Sequence, residues 1–314
     1  MVWELLDHGE TVVVLDRLST GFDWAVPDAA KLIVGDIGDQ ALVDDILSRY
    51  DVDAIIHFAG SIIVPESVAD PLGYYLNNTV KSRALIECAV RGGVKHFIFS
   101  STAAVYGTPR VIPVPEGEAL EPESPYGRSK LMTEMMLADA AAAHGFTYAA
   151  LRYFNVAGAD PKQRTGQSTR GATHLIKVAC ETATGKRAHM EVFGTDYDTP
   201  DGTCIRDYIH VTDLVNAHYL ALTHLRGGGE SLVANCGYGQ GYSVREVIEA
   251  VKRVSGQDFK VVESGRRPGD PVAIVANPER CFKVLGWRPA HADLEEIVRH
   301  ALAWEEGLVR RNRV

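Results

Sequence analysis

Apolar residues recur along the first half of the chain in short runs, with amphipathic stretches between them. The runs Thr11–Asp16, Lys31–Val34, Asp53–Phe58, Val94–Ser100 and Thr147–Tyr153 read as parallel strands buried on both faces. The stretches Gln40–Tyr50, Leu72–Arg91 and Tyr126–His144 read as helices. That alternation predicts an α/β fold, a doubly wound parallel sheet with right-handed crossovers. After Tyr153 the pattern loosens into loops rich in Gly, Thr and Asp at 158–171 and 194–202. Helices are predicted to resume at Ala172–Thr184, Thr212–Leu225, Ser243–Ser255 and Leu294–Val309. Ser243 followed by Glu246 is the reciprocal capping signature expected at the start of the third. The division expected is residues 1–155 for the sheet domain and 156–314 for a smaller α+β domain, with about 205–235 returning to the first.

At 314 residues and 46% apolar side chains, the chain can bury one large core or two linked ones. It has no apolar run of the length a bilayer requires, and no charged segment followed by an apolar stretch and a cleavage site, so secretion is not expected. The five cysteines are scattered without a CxxC pair, which fits reduced thiols in a cytoplasmic protein. Eleven histidines show no HExxH spacing, so no metal centre is expected. A net charge of −9 argues against nucleic acid as a partner, although a few local arginines can still hold a phosphorylated small molecule.

Chemistry concentrates at Pro125-Tyr126-Gly127-Arg128-Ser129-Lys130. Tyr126 and Lys130, at i and i+4, share one face of a helix. An ammonium near a phenol favours the phenolate and is expected to lower the tyrosine from its usual value of about 10. The result would be a base for a sugar hydroxyl. One strand earlier, Phe99-Ser100-Ser101-Thr102 runs into a hydroxyl-rich turn. Ligands of parallel sheets bind beyond the carboxyl ends of the strands, so Thr102 is expected to hydrogen-bond the oxygen that Tyr126 deprotonates. A turn-stabilising hydroxyl is the plain alternative for Thr102.

The serine/threonine cluster, Val105-Tyr106-Gly107 and the Pro125–Lys130 helix start together resemble the extended short-chain dehydrogenase/reductases, which have the Rossmann fold. The segments Tyr153–Ala159, Gly202–Val211 and Arg266–Asp270 are similar to those of the UDP-glucose 4-epimerases. The resemblance runs along essentially the whole chain. It implies an NAD-dependent, reversible epimerisation at C4 of a UDP-sugar through a 4-keto intermediate, and a homodimer built from the helices Leu72–Arg91 and Tyr126–His144. On the second of these helices, Leu131, Met135 and Met136 extend the apolar surface beyond one core stripe.

By the same resemblance, Arg206 serves the UDP diphosphate, Arg267 the nucleotide end and Asp270 the uridine ribose. Phe193 lines the uracil, Asn155 and Leu175 face the sugar side, and Ile274 borders the sugar pocket. The cofactor side is assigned Asp16, Arg17, Asp36, Ile37, Phe58, Ala59, Gly60, Asn77 and Phe154. Asp16 suits a ribose 2′-hydroxyl and leans the choice toward NAD, whereas Arg17 could favour a 2′-phosphate. Ile62 stands where many epimerases have a cofactor-contacting lysine. Related 4,6-dehydratases carry a carboxylate directly after the strand-end Thr or Ser. Thr102-Ala103-Ala104 has none, which favours a reaction needing a single base. Another UDP-sugar epimerase, for a pentose or an N-acetylhexosamine, and a non-catalytic NAD-binding sensor are the alternatives.

A dinucleotide fold begins with a strand and a glycine-rich turn leading into a helix. Met1–Gly9 reads as the later part of that helix, with no GxxGxxG before it. The expectation is therefore a reading frame starting roughly 15 residues upstream, and a chain that binds NAD weakly as it stands. The missing strand would leave unpaired backbone on Thr11–Asp16 and Phe97–Ser100.

Overall fold

The structure, a computed structural model, describes residues 1–267 and 269–311; Pro268, inside the Arg266–Asp270 motif, lies outside the described residues. The five apolar runs form strands β1 (Val13–Asp16), β2 (Lys31–Val34), β3 (Ala54–His57), β4 (His96–Thr102) and β5 (Thr147–Tyr153). The later, shorter strands are β6 (Asn155–Ala157), β7 (Met190–Phe193), β8 (Ile205–His210), β9 (Leu232–Cys236), β10 (Gly241–Ser243), β11 (Val261–Ser264) and β12 (Ala273–Ile274). Helices in the first half are α1 (Val2–Asp7), α2 (Gln40–Arg49), α3 (Val64–Ala69), α4 (Pro71–Tyr74), α5 (Lys81–Arg91) and α6 (Pro125–His144). Those in the second are α7 (Leu175–Ala183), α8 (Val211–Arg226), α9 (Val244–Ser255), α10 (Glu279–Val284) and α11 (Leu294–Arg311).

Parallel strands in the order β3-β4-β5-β9 make the main sheet. Its two faces are covered as the alternation predicts. On one side α8 buries Leu214, Ala217, Ala221, Leu222 and Leu225 against Ile98, Ala149 and Leu151. On the other, Val43 of α2, Leu85 of α5 and Leu137 of α6 pack on Phe97 and Phe99. Each Val, Leu, Ile or Phe among them contributes about 1.5–3 kcal/mol when fully buried.

The strands β1 and β2 pair in parallel as a separate ribbon, and among the described residues neither bonds to β3. Here one expectation is corrected. Phe97–Ser100 is not left unpaired, because β4 is paired on both edges, by β3 and β5. It is β3 whose second edge has no strand partner among the described residues.

The expected helix Leu72–Arg91 is interrupted. Between α4 and α5 the backbone widens into a π-helical turn over Tyr75–Val80, which carries Asn77 and Asn78. Such turns re-aim side chains and recur at functional sites. The outward residues of α6 also differ from expectation. Leu131 is buried with Phe154 and Ile274, and Met136 packs on the core beneath α5 and α6. Met132 and Met135 are the ones exposed, and Val64, Val68, Leu72, Leu76 and Val80 are exposed too.

In the second half β8 pairs with β10 and β12 on its two edges and also with β6, while β7 pairs with β11. Packing of α7, α9 and α11 around Ile176, Val247, Ile248, Ile297 and Val298 makes a second core. The Ser243–Glu246 capping box is formed. The strand β9 and helix α8 belong to the main sheet and its cover, whereas β8 belongs to the smaller sheet. None of the helices in the described residues is long and apolar enough to cross a membrane.

Candidate active site

Helix α6 starts at the carboxyl end of the main sheet because its first turn is fitted to the turn after β4. The Ser124 hydroxyl accepts the Gly127 N–H (3.1 Å) and Pro125 supplies a preset φ. A Cβ on Gly127 would stand 2.6 Å from the Ala104 carbonyl oxygen, so only glycine lets the helix approach this closely. That approach brings Tyr126 beside Thr102, the last residue of β4, whose hydroxyl works to lower the phenol. The Thr102 hydroxyl also accepts the Ala104 N–H (3.1 Å), so it holds the turn as well.

One turn along, Lys130 is buried, and its Nζ donates to the Ser100 carbonyl (3.0 Å) and lies over the Phe99 ring. Burial lowers Lys130 to about 8. Burial also dominates Tyr126, pushing the phenol well above 10. The expectation that Lys130 lowers the Tyr126 pKa is thus not met in the ligand-free protein. The ammonium is engaged with Ser100, and desolvation of the phenolate outweighs any help from it.

Beyond β3 the chain turns at Phe58-Ala59-Gly60, all exposed, with the Phe58 ring 4.9 Å from that of His218. A Cβ on Gly60 would lie 3.1 Å from Asn78 Oδ1 and 3.7 Å from Lys130 Nζ. Asn78 was not singled out from the sequence, yet it grips this loop. Its Oδ1 accepts the Ser61 N–H (2.7 Å), and its Nδ2 donates to the Ser61 carbonyl (2.8 Å) and to Ser129 Oγ on α6 (3.0 Å). Neighbouring Asn77 donates to Ser61 Oγ (2.9 Å).

Asp16 sits exposed at the end of β1, accepting the Leu18 N–H (2.6 Å). Burial works to raise Asp36, but a hydrogen bond from Lys81, the Gly38 N–H and Arg17 together hold it below the usual carboxylate range. Ile37 packs into the core under α2 and α5. A groove of about 500 Å³ is lined by Arg17, Ser61, Tyr74, Asn77 and Lys81, among others. Glu66 and Asp70 are its carboxylates, and the two cations with the Ser61 hydroxyl and the Asn77 amide suit the pyrophosphate of a dinucleotide. Lys81 was missed in the sequence because it lies mid-helix in a segment of ordinary amphipathic spacing.

A second cluster forms around β8. Arg206 is nearly buried and donates to the Ile205 carbonyl (2.8 Å) and to Asp270 Oδ1 (3.4 Å). The Arg267 guanidinium stacks 3.5 Å from the centroid of Phe193. Burial raises the thiol of Cys204, with Arg206, Asp270 and Arg267 all acting on it, so the three motif residues meet around that cysteine. Tyr197, another residue the sequence did not flag, stacks under Arg266 at 4.3 Å. Ile274 is in register with Arg206 and packs with Phe154, Tyr106 and Leu131, which links this cluster to α6. Asn155 and Leu175 line a different, small cavity of about 30 Å³, together with Tyr208, Lys177 and Trp304.

A family model described as the NAD dependent epimerase/dehydratase family matches residues 1–237. The chain is 56% identical over 304 residues to a UDP-glucose 4-epimerase of Azospirillum brasilense, covering 97% of this chain and 87% of that one. Among solved structures, it resembles the UDP-glucose 4-epimerase of Brucella ovis in complex with NAD, with a TM-score of 0.93 at 45% identity over 96% of this chain and 93% of that chain. It also resembles the UDP-Glc/GlcNAc 4-epimerase of Campylobacter jejuni, with a TM-score of 0.83 at 48% identity over 97% and 94%. With its strand-end hydroxyl, buried tyrosine and lysine, and cation-lined groove on a scaffold matched nearly end to end, this chain belongs to the NAD dependent epimerase/dehydratase family.

Proposed function

We propose that this protein interconverts UDP-glucose and UDP-galactose by inverting C4 through a 4-keto sugar, with NAD as cofactor. It is an isomerase. The observation that carries the assignment to residues is the buried Tyr126 beside the strand-end Thr102 of β4, with the buried Lys130 one turn along α6.

When bound, NAD supplies a hydride acceptor and returns the same hydride, so no net redox occurs. Arg17, Asp36, Asn77 and Lys81, with Asp16 and the Phe58–Gly60 turn, are the residues that would hold it. Arg17, Asn77 and Lys81 line one groove, and Asp36 pairs with both Arg17 and Lys81, a set of charges that fits such a ligand. Tyr126 takes the proton from the O4 hydroxyl, Thr102 holds that oxygen, and Lys130 supports the phenolate electrostatically once a second cation is bound nearby. Arg206 and Arg267 bind the diphosphate and nucleotide end by charge-assisted hydrogen bonds, and Asp270 accepts from the ribose diol. Asn155, Leu175 and Phe193 complete the substrate side, and Phe154 backs the cofactor side from the buried cluster. No carboxylate follows Thr102. Glu134, behind Ser101, is taken up by a two-pronged bond to Arg152. A dehydratase's extra acid is therefore not at hand.

The exposed stripe Val64, Val68, Leu72, Leu76, Val80, Met132 and Met135 supports a homodimer through α3 to α6. Five unpaired, buried thiols support a cytoplasmic setting. The likeness to the Campylobacter Glc/GlcNAc enzyme keeps a UDP-N-acetylhexosamine as a second substrate reading. Purified protein with added NAD, assayed against UDP-galactose, UDP-xylose and UDP-GlcNAc, tests both. Turnover of UDP-galactose fastest of the three supports the first reading, and turnover of none refutes both.

A further inference from the structure

Three imidazoles and a carboxylate converge at the far side of β8 from the arginine cluster. His291 lies in the loop before α11, and Glu296 and His300 stand at i and i+4 on that helix, so both face the same way. One ligand atom from each of these three lies within 4.8 Å of the other two. His291 Nδ1 and Glu296 Oε1 are 2.8 Å apart. The third ring, His210, ends β8 and caps α8. Its Nδ1 accepts the Thr212 N–H (3.0 Å), which leaves the proton on Nε2, 3.1 Å from His300 Nδ1.

We propose that His291, Glu296 and His300 bind one divalent transition-metal ion of the zinc type. Two imidazoles and one carboxylate with open remaining positions form a ligand set such ions accept, water completing the coordination. The scaffold holds these side chains in advance. Asp213 on α8 accepts the Ala290 and His291 N–H groups (both 2.9 Å), which pins the backbone of the loop ligand. Asp293 accepts the Glu296 N–H (2.8 Å), which sets the first turn of α11. The spacing is His-x4-Glu-x3-His, so a search for HExxH passes over it, and the absence of HExxH is no ground against a site here. A cation taken through Nδ1 of His300 displaces the single contact from His210, and three protein ligands bind less tightly than a closed four-ligand site. The ion would staple α11 to the preceding loop, whose backbone Asp213 of α8 already holds.

The test uses untagged full-length protein stripped with a chelator and titrated with Zn²⁺ and, separately, Co²⁺. The expected result is one ion per chain, a higher thermal midpoint with Zn²⁺, and Co²⁺ visible bands free of thiolate charge transfer. His291→Ala and His300→Ala should each weaken binding by about tenfold or more, and Glu296→Gln should do the same. Absence of saturable binding at micromolar ion overturns the site. So does unchanged affinity in the His291→Ala/His300→Ala double variant, or a cobalt spectrum showing thiolate ligation.

Discussion

Tyr126 illustrates how a residue's surroundings can oppose its chemistry. Pro125–Lys130 is recognisable because a phenol and an amine four residues apart share a helix face, and that pairing is legible in any sequence. The balance between them is not legible, since it depends on how deeply the phenol is buried. Burial wins here and holds the Tyr126 proton on. A group held above its ordinary value stays protonated as pH rises through that value. The ligand-free protein should therefore show no Tyr126 tyrosinate absorbance at about pH 10 in a difference spectrum against Tyr126→Phe. Adding NAD, whose nicotinamide cation would stand by the phenol, should make that absorbance appear at lower pH. Tyrosinate from Tyr126 in the ligand-free protein near neutral pH would contradict the balance. At the other end of the site, Arg206→Ala should weaken UDP binding by about 1.5–3 kcal/mol, the scale of hydrogen bonds to charged groups, as read by calorimetry. An unchanged UDP affinity would remove Arg206 from the diphosphate.

The elements of the first half were legible because buried parallel strands are continuous apolar runs, and β2 and β5 begin and end where those runs do. What periodicity could not reveal was the π-helical turn at Tyr75–Val80, since one extra residue in a turn leaves a helical pattern nearly intact. That turn delivers Asn78 to Ser61 and Ser129, tying the loop after β3 to α6. A second hidden tie joins α6 to β5. Glu134 and Arg152, both almost fully buried, share two hydrogen bonds, and Arg152 continues to the Tyr106 hydroxyl (3.0 Å). Removing one partner strands the other charge in the core. Glu134→Ala should thus cost about 3–5 kcal/mol of stability by denaturant unfolding, and a loss below about 1 kcal/mol, the range of exposed pairs, would show that water reaches the site. Neither partner is recognisable as a pair from the sequence, because 18 residues and the turn from α6 into β5 separate them.

For the whole molecule, the doubly wound core followed from the alternation of runs, but which strand of the main sheet has a single partner among the described residues did not. Deciding between β3 and β4 required knowing the order of strands in space, which chain order alone does not dictate. The apolar stripe from Val64 to Met135 was likewise assigned partly to the wrong residues of α6. Leu131 and Met136 face the core, while Met132 and Met135 face out. Leu72→Glu combined with Met135→Glu should accordingly convert a dimer into a monomer by light scattering at micromolar concentration. A wild-type monomer would show that this face pairs with nothing. On the proposed function, the buried Tyr126 takes and returns the O4 proton while the C4 hydrogen leaves and comes back as hydride. UDP-galactose carrying deuterium at C4, turned over in ordinary water with added NAD, tests it most directly. The account predicts UDP-glucose that keeps the deuterium at C4, with turnover abolished in Tyr126→Phe; washout of the label into water, or undiminished turnover in that variant, would contradict it.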